Sequence, residues 1–383
     1  MKPRQVGPGI TFTPGDGVMI ESEDKDFSVG LGFRFQLLYT LTGDDPTAKD
    51  TAQSLQVRRA RAQVAGHAFG VHNKYRLEIA VSPSDVDTKD QVVRTSPLLE
   101  AYTEFDYLRD LTVRAGQFKV PFDRMRMTSD MARQLVDYSG VTSEFSLDRD
   151  IGVTLKSNDF LGLGMLRYQL GVFSGKGRNS FTGTDMGLLY IARAEVLPLG
   201  LYDDSPECDF QRTGPRLAIG GAAVRIVDAR RDRGTVGNTP ADVGGTTDFA
   251  LFTGDVAFKM RGFSALGALY YRHGDRNAGK LVDAAGNTLT APTATRDGTG
   301  IALQAGYLLP RLPVEIAARY GTIRGRGVTD HDALKDQDEL GGGVNYFFAQ
   351  HQLKLQADYF RIYRDHDLSA GYDQARLQLQ LVM

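Results

Sequence analysis

Residues 374–383 read QARLQLQLVM. Ala375, Leu377, Leu379, Leu381 and Met383 fall on one side of an extended chain, and Gln374, Arg376, Gln378 and Gln380 on the other. Successive side chains of a strand point to opposite faces, so this alternation predicts a sheet with one apolar and one polar face. The preceding segment, HQLKLQADYF at 351–360, sets Leu353, Leu355, Ala357 and Tyr359 against Lys354, Gln356 and Asp358. Near the front, KYRLEIAV at 74–81 sets Tyr75, Leu77, Ile79 and Val81 against Lys74, Arg76 and Glu78.

Followed along the chain, the same period predicts 16 strands, near 27–41, 54–69, 71–82, 97–108, 111–119, 149–157, 162–174, 186–197, 215–227, 246–260, 262–273, 297–309, 313–323, 336–348, 351–363 and 372–383. Most run roughly 9–15 residues, longer than the ~5–6 of ordinary strands and enough for the ~9–11 that a tilted strand needs to cross a bilayer. Tight linkers at 69–71, 108–111, 260–262 and 349–351 alternate with long ones at 44–53, 82–96, 228–245 and 272–296. Short turns on one rim and long loops on the other are the layout of an outer-membrane barrel.

The polar faces carry charge in mid-strand: Arg34, Arg59, Arg61, Arg76, Arg114, Arg167, Arg193, Arg319 and Arg376, with Glu78, Glu100, Glu104, Asp106, Glu195, Glu315 and Asp358. At bilayer depth such groups must line water. The expected fold is therefore all-β: a transmembrane antiparallel β-barrel over 27–383, preceded by an N-terminal periplasmic segment, 1–26. The competing reading is a soluble all-β binding protein whose polar faces are solvated.

Composition excludes other classes. The chain has 383 residues and a formal charge of −2, so no global basic field points to nucleic acid. Its one cysteine, Cys208, allows no intramolecular disulfide. No apolar run of about 18 residues is present for a transmembrane helix. The start, MKPRQVGPGITF, lacks the apolar core and cleavage site of a signal peptide. A mature or trimmed chain carrying an added Met is the expectation.

Residues 121–148 hold no convincing strand. A 16-strand barrel encloses a wide aqueous lumen, and a long polar segment after the fifth strand is expected to fold inward and narrow it. The stretch Phe122–Arg149 contains Arg124, Arg126, Arg133 and Arg149 against Asp123, Asp130, Asp137, Glu144 and Asp148, a near-neutral balance. Glu100, Glu104 and Asp106 form an acidic stripe, read as one wall facing a basic one across a pore.

Three stretches, DKDFSVGLGFRFQLLY (24–39), LLEAYTEFDYLRDLTVRAGQFKVPF (98–122) and DQDELGGGVNYFFAQHQLKLQADYF (336–360), resemble the phosphate-selective porins O and P of Gram-negative outer membranes, with GQFKVPF the most specific element. The resemblance implies that the loop after GQFKVPF supplies a basic residue and small hydroxyls to an anion site. The matching positions are Arg126, Thr128 and Ser129, with Lys119 and Arg124 nearby; Arg133 joins Arg124 and Arg126 in attracting anions. Arg34, Arg59, Arg61 and Arg76 match the family's arginine ladder, and a homotrimer is implied.

No chemical motif competes. His67, His72, His273, His331, His351 and His366 form no HExxH pattern, and G-x-S-x-G, P-loop and C-x-x-C-H motifs are absent. The expected function is passive diffusion of small charged solutes, with anions such as phosphate in view, without enzyme activity, cofactor or metal. A barrel sheath around a partner protein is the alternative, and it would show no free conductance.

Overall fold

In the computed structural model, residues 4–7, 9–15, 17–43, 51–85, 88–89, 92–93, 96–180, 187–326 and 333–383 are described. The barrel strands are β1 (Ser28–Gly43), β2 (Ala52–His67), β3 (Asn73–Ala80), β4 (Leu98–Leu108), β5 (Leu111–Lys119), β6 (Arg149–Ser157), β7 (Leu166–Phe173) and β8 (Leu189–Val196). They continue as β9 (Arg216–Ala229), β10 (Thr246–Met260), β11 (Phe263–Asn277), β12 (Gly298–Leu308), β13 (Val314–Gly325), β14 (Gln337–Ala349), β15 (Leu353–Arg364) and β16 (Asp367–Val382). Each pairs antiparallel with its neighbour in sequence. β16 returns to β1, with Asp373 opposite Gly43 and Val382 opposite Arg34, which closes the barrel.

The faces are inverted relative to a soluble sandwich. On β15 and β16, Leu355, Leu377 and Leu379 are 37%, 46% and 41% exposed, whereas Lys354, Gln356, Gln378 and Gln380 are at most 2% exposed. The apolar face thus points outward and the polar face into the lumen. That arrangement suits lipid outside and water inside, and it counts against the soluble alternative.

Three expected strands, 111–119, 149–157 and 246–260, coincide with β5, β6 and β10. β16 begins at Asp367 rather than 372, because Asp365 and His366 make the whole preceding turn at φ 52° and 60°. Two left-handed residues suit a tight hairpin, but no glycine signals it in the sequence. His331 and parts of the loops expected at 44–53 and 82–96 lie outside the described residues. At the other end, Gly17–Glu21 pairs with the start of β1, Val18 opposite Leu31 and Glu21 opposite Ser28, so part of the 1–26 segment extends the barrel's sheet.

One rim differs from expectation. The short-turn rim also carries the 197–215 connection, which turns back into the lumen. There the Glu207 amide donates to Ala132 O at 3.0 Å, and the Gly262 amide donates to Asp209 at 2.8 Å.

From the opposite rim, residues 120–148 also enter. Two short helices order them: α1 (Arg124–Met127), capped by Asp123, and α2 (Gly140–Phe145), capped by Ser139, whose hydroxyl accepts from the Thr142 amide at 2.8 Å. Phe122, Val141, Phe145 and Leu147 are buried in an apolar cluster with Tyr270 of β11. The Phe145 and Tyr270 rings stack at 5.8 Å.

α2 sits on the wall where Gly300 leaves room: a Cβ there would lie 2.5 Å from Val141 Cγ1. Gly300→Leu is expected to lift α2, at a cost of about 1–3 kcal/mol from overpacking, and to change single-channel conductance. Unchanged conductance in a folded barrel would show that the seat of α2 does not control the passage.

Candidate functional site

The loop's polar backbone is satisfied partly within the loop and partly by side chains of the wall, as burial requires. Gln134 is the hub. Its side-chain amide donates to Ser264 and Glu315, each at 2.6 Å, its backbone amide donates to Glu207 at 2.8 Å, and its carbonyl accepts from Asn345 at 2.7 Å. Lys354 donates to Arg133 O (2.7 Å), the Val136 amide to Asp358 (3.0 Å) and the Gly140 amide to Glu339 (3.1 Å). Apart from Glu207 of the 197–215 connection, these partners come from β11 and β13–β15, so the loop is clamped against that side of the barrel.

Open space remains on the other side, along β2–β6. A cavity of about 380 Å³ faces the long-loop rim and one of about 360 Å³ faces the short-turn rim. Both are lined by Arg61, Asp130 and Arg149. The first also carries Arg58, Arg59, Arg126, Arg178 and Arg231 against Asp85, Asp137 and Asp148. The second carries Arg34, Arg76, Arg114, Lys119 and Lys156 against Glu78 and Glu100. Basic groups outnumber acidic ones in each.

This excess was hidden in the loop's own near-neutral count. Two of its acids face away from the cavities: Asp123 binds Ser146 and Tyr270, and Glu144 binds Arg272 and Arg296. The wall and the connections holding Arg178 and Arg231 supply the surplus of positive charge.

Where the cavities meet, Asp130 is the central acid. Arg61 Nη1 lies 2.7 Å from Asp130 Oδ2, Arg59 Nε lies 3.3 Å from the same oxygen, and Arg133 and the Tyr138 hydroxyl (2.7 Å) hold Oδ1. Burial alone would raise the Asp130 pKa, but Arg133, Arg59, Arg61 and Lys119 outweigh it and hold the carboxyl well below the usual range. Asp137 follows the same logic: burial is overcome by Arg58, Arg59 and Arg133, and its pKa is also well below normal. Both therefore stay ionised at neutral pH.

Arg58 reaches this site through a β-bulge. Gln36 pairs with Arg59 and Leu37 with Val57, which leaves Arg58 as an extra residue on β2. A bulge re-aims the chain: Leu55 and Val57 point outward, Arg59 and Arg61 inward, and Arg58 donates to Asp137 at 2.7 Å.

The site residues expected from sequence divide into two groups. Lys119, Arg126, Ser129, Arg34, Arg59, Arg61, Arg76, Arg114 and Glu100 line one or both cavities. Arg124 does not; it is buried between Asp255 (2.8 Å), Glu195 (3.1 Å) and Asp204, and it fastens the loop. Thr128 turns its hydroxyl to Arg124 O at 3.1 Å and ends α1. Arg133 is buried, neutralised by Asp130 and Asp137, and packed on the Tyr138 ring at 3.3 Å.

The acidic stripe is also corrected. Glu104 pairs with Arg114 (2.6 Å) and Lys156 (2.9 Å) within its own wall, because Arg114 is its direct cross-strand neighbour. Asp106 lies toward the short-turn rim with Lys74 and His72. Sequence reasoning missed Arg58, Asp85, Arg178 and Arg231 as lining residues. Of these only Arg58 left a signal, the RRAR run that breaks alternation.

A closed 16-strand antiparallel barrel with an apolar exterior, a charged lumen and an inward loop is the architecture of outer-membrane diffusion channels. Residues 29–203 match the model of the family phosphate-selective porin O and P. An uncharacterized protein of Aquifex aeolicus (strain VF5) is 23% identical over 297 residues, 73% of this chain and 66% of that protein; the chain thus covers just under two thirds of that relative. Among solved structures, the anion-selective porin from Comamonas acidovorans shares the fold at 11% identity with a TM-score of 0.60, covering 93% of this chain and 100% of that one. The trimer form of Vibrio cholerae OmpT does so at 12% identity and 0.53, covering 93% and 99%.

Proposed function

We propose that this protein is an outer-membrane channel for passive diffusion of small anionic solutes, without bond chemistry or cofactor. The observation that carries the reading is the pair of basic cavities meeting at Arg61, Asp130 and Arg149. The path would run between the 121–148 loop and the β2–β6 wall. Arg126, Arg59 and Arg58 would draw anions in at one mouth; Arg34, Arg76, Arg114 and Lys119 would pass them on at the other, with Ser129 replacing lost hydration. Phosphate is the first solute to try, given the family. The short-turn rim, where the 1–26 segment joins the sheet, would face the periplasm. A homotrimer is proposed by analogy with the trimeric OmpT structure.

The test is planar-bilayer recording in asymmetric KCl. Discrete open steps with a reversal potential on the chloride side are expected. A cation-favouring potential would keep the channel and move the filter to Glu78, Glu100 and Asp130. A folded barrel that gave no steps would overturn the diffusion reading in favour of a sheath.

A further inference from the structure

Asp130 is an odd residue to find where two basic cavities meet. It lines both, yet it cancels the charge that an anion would seek. Its carboxylate is surrounded as a bound oxyanion would be: Arg61 and Arg59 on one oxygen, Arg133 and the Tyr138 hydroxyl on the other.

Each main donor is fixed independently of Asp130. Arg61 gives its Nε (2.7 Å) and Nη2 (2.6 Å) to Asp85, and its Nη1 reaches Asp130 at 2.7 Å and Glu78 at 3.5 Å. Arg133 gives Nη1 to Asp137 at 3.0 Å and keeps Nη2 for Asp130. Arg59 is braced by Gln36 Oε1 at 2.7 Å. The pocket around the carboxylate would thus keep its shape if the carboxylate were removed.

We propose that Asp130 is a tethered competitor: it occupies the channel's own oxyanion site and keeps the affinity for a passing anion low. A permeating oxyanion would share or displace the Asp130 carboxylate on Arg61 and Arg133 and then move on. Conduction needs binding strong enough to admit an ion and weak enough to release it, and an internal carboxylate sets that balance. This inference rests on the channel reading.

The experiment is block of chloride current by inorganic phosphate, for wild type, Asp130→Asn and Asp130→Glu, in the same bilayers. In Asp130→Asn the phosphate concentration that halves the chloride current is expected to fall at least about tenfold, because one negative charge leaves while the donors stay. Asp130→Glu should retain weak block like that of wild type. Adding Arg61→Ala to Asp130→Asn should restore weak block. Equal half-blocking concentrations in wild type and Asp130→Asn would overturn the proposal. If wild type conducted no chloride, the channel reading itself would fail, a distinguishable result. Open-channel steps and heat-modifiable gel mobility establish that each variant is a folded barrel.

Discussion

Excision of residues 122–146, with β5 and β6 rejoined by a short turn, is expected to raise single-channel conductance roughly two- to fourfold and to abolish most ion discrimination. The geometry permits the cut. Lys119 and Arg149 are cross-strand partners, and the Val120 amide donates to Asp148 O at 3.0 Å, so the neck of the loop is already a hairpin. Wall groups that the loop now covers, such as Lys354 and Asp358, would be wetted by lumen water rather than buried unpaired. The 197–215 connection would still occupy part of the lumen, which limits the gain. Conductance equal to that of wild type would mean that the passage is narrowest somewhere other than between the loop and β2–β6.

Replacing Arg61 by Ala is expected to swing the reversal potential from the chloride side toward potassium. Arg61 faces Asp130 at 2.7 Å, Asp85 at 2.6 Å and Glu78 at 3.5 Å, and it is shared by both cavities. Its loss leaves those carboxylates short of one positive charge at the meeting point. A unit charge about 4 Å away is worth ~1 kcal/mol in water and ~4 kcal/mol at an effective dielectric of 20, so the anion-to-cation permeability ratio should fall by about tenfold. The effect should shrink in concentrated KCl, where screening shortens the reach of every exposed charge. A ratio that stayed at the wild-type value in dilute salt would remove Arg61 from the filter.

The barrel was legible because its two solvents are written into the chain with period 2. Gln378 and Gln380 inside, with Leu377 and Leu379 outside, fix both the strand and its faces. The loop's entry into the lumen could be anticipated from its length and its place after β5. Its chemistry could not. Arg124 and Arg126 differ by two positions, yet one is locked against Asp255 and Glu195 while the other lines a cavity, because a short helix turns them apart. Arg58 joins the site only through a bulge, which depends on how β1 pairs with β2 and leaves no local pattern beyond a doubled arginine. The inward turn of the 197–215 connection has no local signal, because its anchors, Ala132 and Gly262, are remote in sequence.

The clamp of Gln134, Lys354, Asp358 and Glu339 lies on the opposite side of the barrel from the two cavities. The wall is therefore divided into a saddle that carries the loop and a half-pipe that meets the solute. Changes of charge on β3–β6 would retune what passes while leaving the saddle untouched, whereas Arg58, Arg59 and Arg61 of β2 also hold the loop through Asp137 and Asp130. Changes on β11–β15 would instead loosen the loop and appear as flicker in the open current. One closed sheet thus offers two sets of positions that could be altered separately, a useful partition for anyone who wished to redirect the channel to a new solute.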